Sequence, residues 1–414
     1  MRKLLVFLLG IMVMATMVAG CGGDKKDAKK PAAQKFINIA TGGTAGTYFP
    51  LGGALADILN KNIPGCNASA QSTGASVANV NLLNQGKVDI AFIQNDIAFY
   101  AANGQEMFKG KQVAGLQGLA TLYPETVQIV TLKKTGIDSI DDFKGKRIAV
   151  GAAGSGTEAN ARQIMAAYGL TYEDMKVQYL SFGEAASALK DGNVDAAFVT
   201  AGHPTAAIQD ISTSNDVVLI PVEADKADAL IAKYPFYTKL TIKANTYNKQ
   251  AADVPAVAVK CMLAVTDKMD AATSYDVAKA LYSNLDRMKA AHSAANAITK
   301  ASASDGMSIK FAPGAEKFFK EALNKEPANM GNSLLLSNLG TIQRRMGKNK
   351  EALESYTLAL NKNPHSVKIL LNRASLYLEL DYLEKAYSDY CNVIDLSPKN
   401  KEALQFRAYI YMRQ

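Results

Sequence analysis

The chain carries one pattern twice. Residues 86–93 read Gly-Lys-Val-Asp-Ile-Ala-Phe-Ile, and residues 192–199 read Gly-Asn-Val-Asp-Ala-Ala-Phe-Val. Each is a helix-ending glycine followed by an apolar run of strand length. What precedes them matches as well. In the first copy a short strand from Asn38 meets the Gly/Thr loop 41–47, then a helix running to about Lys61, which Pro64-Gly65 breaks. A strand over 67–71, the segment Ser72-Thr73-Gly74-Ala75-Ser76 and a helix over 77–84 follow. In the second copy a strand at 147–150 meets Gly-Ala-Ala-Gly-Ser-Gly-Thr at 151–157, a helix over 158–168, a strand over 177–180, a turn at 181–184 and a helix over 185–190. Serine or threonine ahead of an apolar-periodic run marks a helix N-cap. Two βαβαβ lobes, each a parallel sheet covered by helices, are the economical expectation.

Ligands of such sheets sit at the carboxyl ends of the strands. Both loops therefore present helix N-termini at that edge. Glycine lets backbone N–H groups approach a ligand closely, and a helix N-terminus carries about half a positive charge with unpaired donors. Each loop is a candidate anion site; a tight strand-to-helix turn without a ligand is the plainer reading of the first. Strand-like runs at 126–132, 237–244 and 257–265 give two crossings between the lobes, hence a hinge of two strands. The division expected is 36–125 with 245–322 for one lobe and 126–244 for the other.

The loops lack the chemistry of common enzymes. Tyr48 stands where a P-loop lysine belongs, the glycines of 41–46 miss the dinucleotide spacing, and no Gly-x-Ser-x-Gly elbow has a histidine partner. His203, His292 and His365 are dispersed, and no Cys/His pair has zinc-ligand spacing. No enzymatic activity, cofactor or metal is expected. The net charge of +8 is scattered over the chain rather than clustered, which argues against nucleic acid. At 414 residues and 48% apolar content, the chain supports two or three cored domains.

Arg2 and Lys3 precede an apolar run over 4–18 that is too short and too early for a stable transmembrane helix. Val18-Ala19-Gly20-Cys21 then resembles the bacterial lipobox. That implies a lipoprotein signal peptide at 1–20, diacylglycerol on the sulfur of Cys21, and a polar, Lys-rich tether over 21–35 that holds the protein outside the cytoplasm at a membrane surface. An ordinary secretory signal is the alternative. An exported chain permits disulfides, so a Cys66–Cys261 bridge and free thiols both stay open.

Taken in order, a set of motifs over about 36–322 resembles the TAXI-type solute receptors of TRAP transporters, with their type II periplasmic-binding-protein fold. They are Gly42-Gly43-Thr44-Ala45-Gly46-Thr47-Tyr48-Phe49-Pro50-Leu51-Gly52, Thr73-Gly74-Ala75-Ser76-Val77-Ala78-Asn79, Gln94-Asn95-Asp96, Asp141-Asp142-Phe143-Lys144-Gly145-Lys146, Gly154-Ser155-Gly156-Thr157 and Pro313-Gly314-Ala315-Glu316. Ala312 stands where the family usually has histidine. The resemblance implies capture of a small organic carboxylate or amino acid (glutamate, 2-oxoglutarate, or the amide glutamine) and its delivery to TRAP membrane permease subunits. By motif match it places ligand contacts at Gly43, Thr44, Tyr48, Phe49, Thr73, Ala75, Ser76, Gln94 and Asp96 in the first lobe, and at Ser155, Gly156, Thr157, Gly202 and His203 in the second. Hydroxyls of Thr44, Thr73, Ser76, Ser155 and Thr157 can donate to a carboxylate or cap their own helices. Tyr48 offers a flat face and a donor. Asp96 suits an amino group rather than an acid, or caps a helix; for His203 a structural role is equally open. No arginine lies in 36–125 to clamp an acid from that side, and Arg162 has Glu158 one turn before it as a plain surface partner.

From about Leu334 a 34-residue period begins. Leu336, Leu339, Gly340, Ala352, Tyr356, Ala359 and Pro364 match tetratricopeptide (TPR) positions, Leu370, Ala374, Tyr377, Ala386, Tyr390 and Pro398 match again, and Leu404, Ala408 and Tyr411 begin a third unit. An all-α TPR segment over 328–414 is expected, two repeats plus a partial third, which is marginal because each repeat buries its face on neighbours. The helix over 314–323, with Ala315, Phe319, Ala322 and Pro327, also fits the second half of such a repeat. No polar capping helix is legible after the repeats, which leaves truncation or a gene fusion open. Their functional reading is a concave face for a protein or peptide partner; an appended module with no selected partner is the other. A ligand sensor that recruits a partner through these repeats is thus the runner-up to a solute receptor.

Overall fold

The computed structural model describes residues 34–325 and 331–413. The expected signal peptide, the lipid-bearing Cys21 and the tether up to residue 33, together with Pro327, lie outside the described residues. Among the described residues no helix is long and apolar enough to cross a membrane.

The first lobe opens with β1 (Lys35–Ala40), α1 (Tyr48–Asn62), β2 (Cys66–Gln71), α2 (Ser76–Asn84), β3 (Ile90–Gln94) and α3 (Asn95–Asn103). The long strand β4 (Leu116–Leu132) carries the chain across. The second lobe comprises β5 (Arg147–Ala149), α4 (Gly156–Ala167), β6 (Lys176–Gln178), α5 (Phe182–Lys190), β7 (Ala196–Ala201), α6 (Ala206–Ser214), β8 (Val217–Ile220), α7 (Ala224–Lys233) and β9 (Thr238–Ile242). Strand β10 (Val254–Thr266) returns, and α8 (Ala271–Ser283), α9 (Leu285–Ala291) and α10 (Pro313–Lys325) complete the first lobe. Five helices follow: α11 (Gly331–Arg345), α12 (Asn349–Lys362), α13 (Val367–Glu379), α14 (Leu383–Leu396) and α15 (Lys401–Arg413). This is the two-lobed α/β architecture of type II periplasmic binding proteins, with two hinge strands and a C-terminal all-α TPR segment.

One sheet runs through both lobes in the order β2-β1-β3-β10-β4-β7-β5-β6, with β8 on β4 and β9 on β10. The repeated halves are parallel: β1 pairs with β2 and β3, and β5 with β6 and β7. The two long strands are antiparallel to each other and change partners midway. Residues 116–126 of β4 pair with β10, and residues 126–132 with β7 and β8. Strand β10 pairs with β9 up to Ala258 and with β3 from Cys261 onward, and its register slips between Lys260 and Met262. Val257 and Val259 pack in a second-lobe core, whereas Cys261 to Val265 pack in the first. The return crossing therefore falls near residue 260, later than the expected 245, because β10 first forms a hairpin with β9.

Strand β4 starts ten residues before the run that its sequence announces. Gly118 and Pro124 interrupt the strand pattern there, and pairing with β10 supplies the missing order. The second lobe has two cores, one on each face of its sheet: Phe198 points to one and Val199 to the other, as strand alternation requires. Cys66 and Cys261 are free thiols. Strands β1 and β3 separate theirs in the sheet, about 14 Å of strand spacing, which no disulfide spans.

The TPR helices bury Ala352, Tyr356, Ala359, Ala374, Ala386 and Tyr390 as the period predicts. Gly340 is needed where it stands, since a Cβ there would meet the Tyr356 ring at 2.9 Å. In α15 the expected Leu404 and Tyr411 are exposed, while Ala403 and Ile410 are buried. The face of α15 turned to α14 is thus offset from the predicted one, with Phe406 stacked on Tyr390 at 5.6 Å.

Candidate functional site

The carboxyl ends of β1, β3, β5 and β7 meet where β4 and β10 cross. Between the lobes lies a cavity that opens to solvent. Four helices begin on it. Helix α1 starts at Tyr48 directly after the Gly/Thr loop, and α2 at Ser76 after Ala75. Helix α4 starts at Gly156, where Ser155 Oγ accepts from Glu158 N (3.1 Å). Helix α5 starts at Phe182, where Ser181 and Glu184 form a capping box. Together they turn several positive dipole ends toward one space.

The lobes are joined across this space by hydrogen bonds. Thr47 Oγ1 donates to the Gly202 carbonyl (2.9 Å), and Val77 N and Ala78 N both donate to the Gly154 carbonyl (3.1 and 3.0 Å). Deeper in, Asn160 Nδ2 of α4 donates to Asp96 Oδ2 (3.2 Å), and Gln94 Nε2 donates to Asn160 Oδ1 (3.0 Å).

Most of the expected residues reach the cavity. Gly43, Tyr48, Thr73, Ala75, Ser76, Gln94, Ser155, Gly156 and Thr157 line it. Their roles differ. The Thr73 hydroxyl is held within its own lobe, beside the Thr41 carbonyl (2.9 Å) and Asn79 Oδ1 (2.6 Å), and it accepts from Ala75 N. Ser155 caps its helix. Ser76 Oγ accepts from Gln94 N (3.2 Å) and lies 3.5 Å from the Tyr48 hydroxyl. Burial holds that phenol well above its ordinary pKa. Ala75 sits at φ 70°, ψ −149°, a conformation that only glycine adopts freely.

The other five stand elsewhere. Thr44 is exposed in the loop and Phe49 is half-buried in the first turn of α1; neither lines the cavity. Asp96 lies behind the cavity wall, fully buried, with Ile97 N donating to its Oδ1 (2.9 Å); burial pushes its carboxyl up to about 7. Gly202 is a packing position, because a Cβ there would meet Ala294 at 2.6 Å. His203 pairs its Nδ1 with Thr126 Oγ1 (3.0 Å), and burial lowers its pKa. Arg162 bonds Glu158 (3.4 Å) and also reaches Glu106 of the other lobe (3.5 Å).

Sequence reasoning missed Thr47, Ser181, Phe182, Thr200 and above all Glu125, which line the same cavity. Glu125 sits where β4 changes lobes and is 1% exposed. Gln94 Nε2 donates to its Oε2 (3.3 Å). Burial pushes its carboxyl up to about 8. The one charged side chain in the whole of β4 was the available signal.

Comparison with known proteins finds a matching family model and similar chains. The model of the NMT1-like family matches residues 39–322. Among solved structures, the alkanesulfonate-binding protein of Xanthomonas axonopodis pv. citri bound to MOPS is 15% identical, with a TM-score of 0.40 over 72% of this chain and 94% of that one. PhnD1 of Prochlorococcus marinus in complex with methylphosphonate is 11% identical, with a TM-score of 0.44 over 71% and 97%. A tetratricopeptide repeat protein of Parabacteroides merdae is 51% identical over 24% of this chain and 39% of its own, with a TM-score of 0.23. Among curated proteins, a UDP-N-acetylglucosamine–peptide N-acetylglucosaminyltransferase of Giardia intestinalis is 42% identical over 77 residues, 19% of this chain. The chain spans only 5% of that relative's length.

Proposed function

The chain belongs to the NMT1-like family, and from that premise we propose that its two lobes are an extracytoplasmic receptor for a small organic solute. The observation that carries the reading is the convergence of four helix N-termini on a cavity at the crossing of two hinge strands. Such a site favours an anionic group, and two strands are a joint about which lobes close on a ligand. Following the TAXI-type motifs, the solute is a small carboxylate or amino acid of the glutamate, glutamine or 2-oxoglutarate class, handed to TRAP permease subunits. Lipid on Cys21 keeps the receptor at the membrane surface. The protein has no catalytic role in this reading.

Isothermal titration with a panel of dicarboxylates and amino acids tests it. Tyr48→Ala or Thr157→Ala is expected to weaken binding about tenfold. Unchanged affinity in both variants would refute the site, and product formation would move the protein to an enzyme class.

A second reading has an observation of its own. Ile342 and Arg345 of α11 line a cavity that Phe99 of the first lobe and Tyr234 of the second also line. The repeats thus face a cavity shared with both moving parts, which suits a sensor that reports solute occupancy to a protein partner.

A further inference from the structure

A second recess opens where three parts of the chain meet. Helix α3 of the first lobe, the link from α7 to β9 in the second lobe and α11 of the repeats all line it, and it shares no lining residue with the cleft. Its apolar lining crosses between the lobes. The Phe99 ring lies 5.0 Å from that of Phe236, and Tyr100 lies 5.8 Å from Phe236. Phe99 and Phe236 are only half-buried. On the repeat side Ile342 and Met346 of α11 line the recess, and Met346 is 45% exposed.

Charge is unevenly placed around these rings. Lys233, Lys260, Lys310 and Arg345 line the recess against two acids, Glu106 and Asp305. Both acids are engaged: Asp305 pairs with Lys260 Nζ (3.0 Å), and Glu106 with Arg162 (3.5 Å). Lys233, Lys310 and Arg345 are exposed and have no ion-pair partner among the described residues. An apolar recess rimmed by unpaired cations is complementary to an apolar side chain carried between acids. A flat bilayer does not reach half-buried rings in a recess, whereas one extended segment of chain does.

We infer that this recess is the docking site of an acidic peptide segment of a partner protein. An aromatic side chain of the segment enters beside Phe99, Phe236 and Met346, and carboxylates on either side of it meet Lys233, Lys310 and Arg345. The inference rests on the second reading above, in which the repeats serve a protein partner, and it names that partner's chemistry and its seat. The guest ring packs edge-on or offset against the two phenylalanines, and cations at the rim favour its face. Because both lobes line the recess, its occupant holds them in the relation seen here, with Thr47 bonded across the cleft to the Gly202 carbonyl. Docking and solute capture are therefore linked, each strengthening the other.

The test starts from displayed peptides of about nine residues, about 30 Å when extended, selected on the full chain. The expected result is enrichment of one aromatic residue flanked by aspartate and glutamate. An enriched peptide, labelled for fluorescence anisotropy, is then titrated with the wild-type protein, with Lys310→Glu plus Arg345→Glu, and with Phe99→Ala. Lys87→Glu plus Lys176→Glu is the control, an equal change of net charge at exposed lysines that do not line the recess. Both recess variants should lose about tenfold or more in affinity, and the control less than about twofold. Wild-type affinity should fall as salt rises. No enrichment, enrichment of neutral or basic sequences, or a control that weakens binding as much as the recess variants overturns the inference. So does a dimer of the chain, or binding to phosphatidylglycerol vesicles, that Lys310→Glu plus Arg345→Glu abolishes while no peptide is enriched; the recess would then seat a second copy or a lipid surface. Repeating the wild-type titration with the cleft saturated by whichever dicarboxylate or amino acid binds it separates the two readings. Peptide affinity that does not change would remove the sensor and leave the docking site standing.

Discussion

Gly156 shows how closely the two lobes are fitted at the cleft. A Cβ on it would overlap the Gln94 side chain of the opposite lobe. Opening the lobes relieves that clash, so the loss in Gly156→Ala belongs in ligand affinity, about tenfold to a hundredfold, more than in melting temperature. Titration alongside a thermal melt checks this; normal affinity would show that Gln94 yields without cost. The glycine was legible in the sequence as a loop residue, but its reason was not, because the reason sits on another strand 62 positions earlier. The same limit hid Glu125, whose importance comes from β10 and α1 closing over it. Thr44 and Phe49 show the converse. They belong to the motif that lines the cavity, yet one is exposed in the loop and the other, in the first turn of α1, does not line the cavity. A motif fixes the backbone path, and each side chain's direction along that path needs the neighbouring elements.

At the scale of elements, regular periods were readable and irregular ones were not. Strands β1, β3 and β7 and helices α1, α2, α4 and α5 follow clean apolar patterns with cap signals, and they fall within a few residues of expectation. The first ten residues of β4, broken by Gly118 and Pro124, gave no such pattern, although that half carries the hinge. The TPR period fixed α11 to α14, but said nothing of what binds the helices beyond small-residue packing. There the structure adds a buried ion pair. Arg373 donates to both oxygens of Asp389 (2.8 and 2.9 Å), an acid 3% exposed. Removing the arginine strands a buried carboxylate, so Arg373→Ala is expected to lose about 3–5 kcal/mol. Replacing both partners, as Arg373→Met with Asp389→Leu, should recover most of that loss, because the desolvation cost of the charges goes with them. Urea unfolding of the single and double variants decides it: a double variant no more stable than Arg373→Ala alone would mean that lost packing, not the orphaned charge, is responsible.

Across the whole molecule, the repeats are less separate than a change of sequence period suggests. The apolar core of the first lobe continues through Phe318 and Phe319 of α10 to Leu335 and Leu336 of α11, and on to Tyr356 and Tyr390. Phe319 is central to this bridge, packed on Phe311, Tyr282 and Phe318 at ring distances of 5.8, 5.1 and 5.2 Å. The second lobe keeps its own two cores. A shared core couples unfolding, since neither part can lose its packing without exposing the other's. The first lobe and the repeats should therefore unfold in one transition. A saturating solute, which stabilises the lobes by mass action, should then raise the midpoint of the repeat helices too. Phe319→Ala should lower that joint transition by about 3–5 kcal/mol while leaving the second lobe's cores intact. Scanning calorimetry with hydrogen exchange read at α13 and α14, with and without solute, measures the coupling. Repeats that melt on their own, at a midpoint the solute does not move, would show a module that merely touches the receptor.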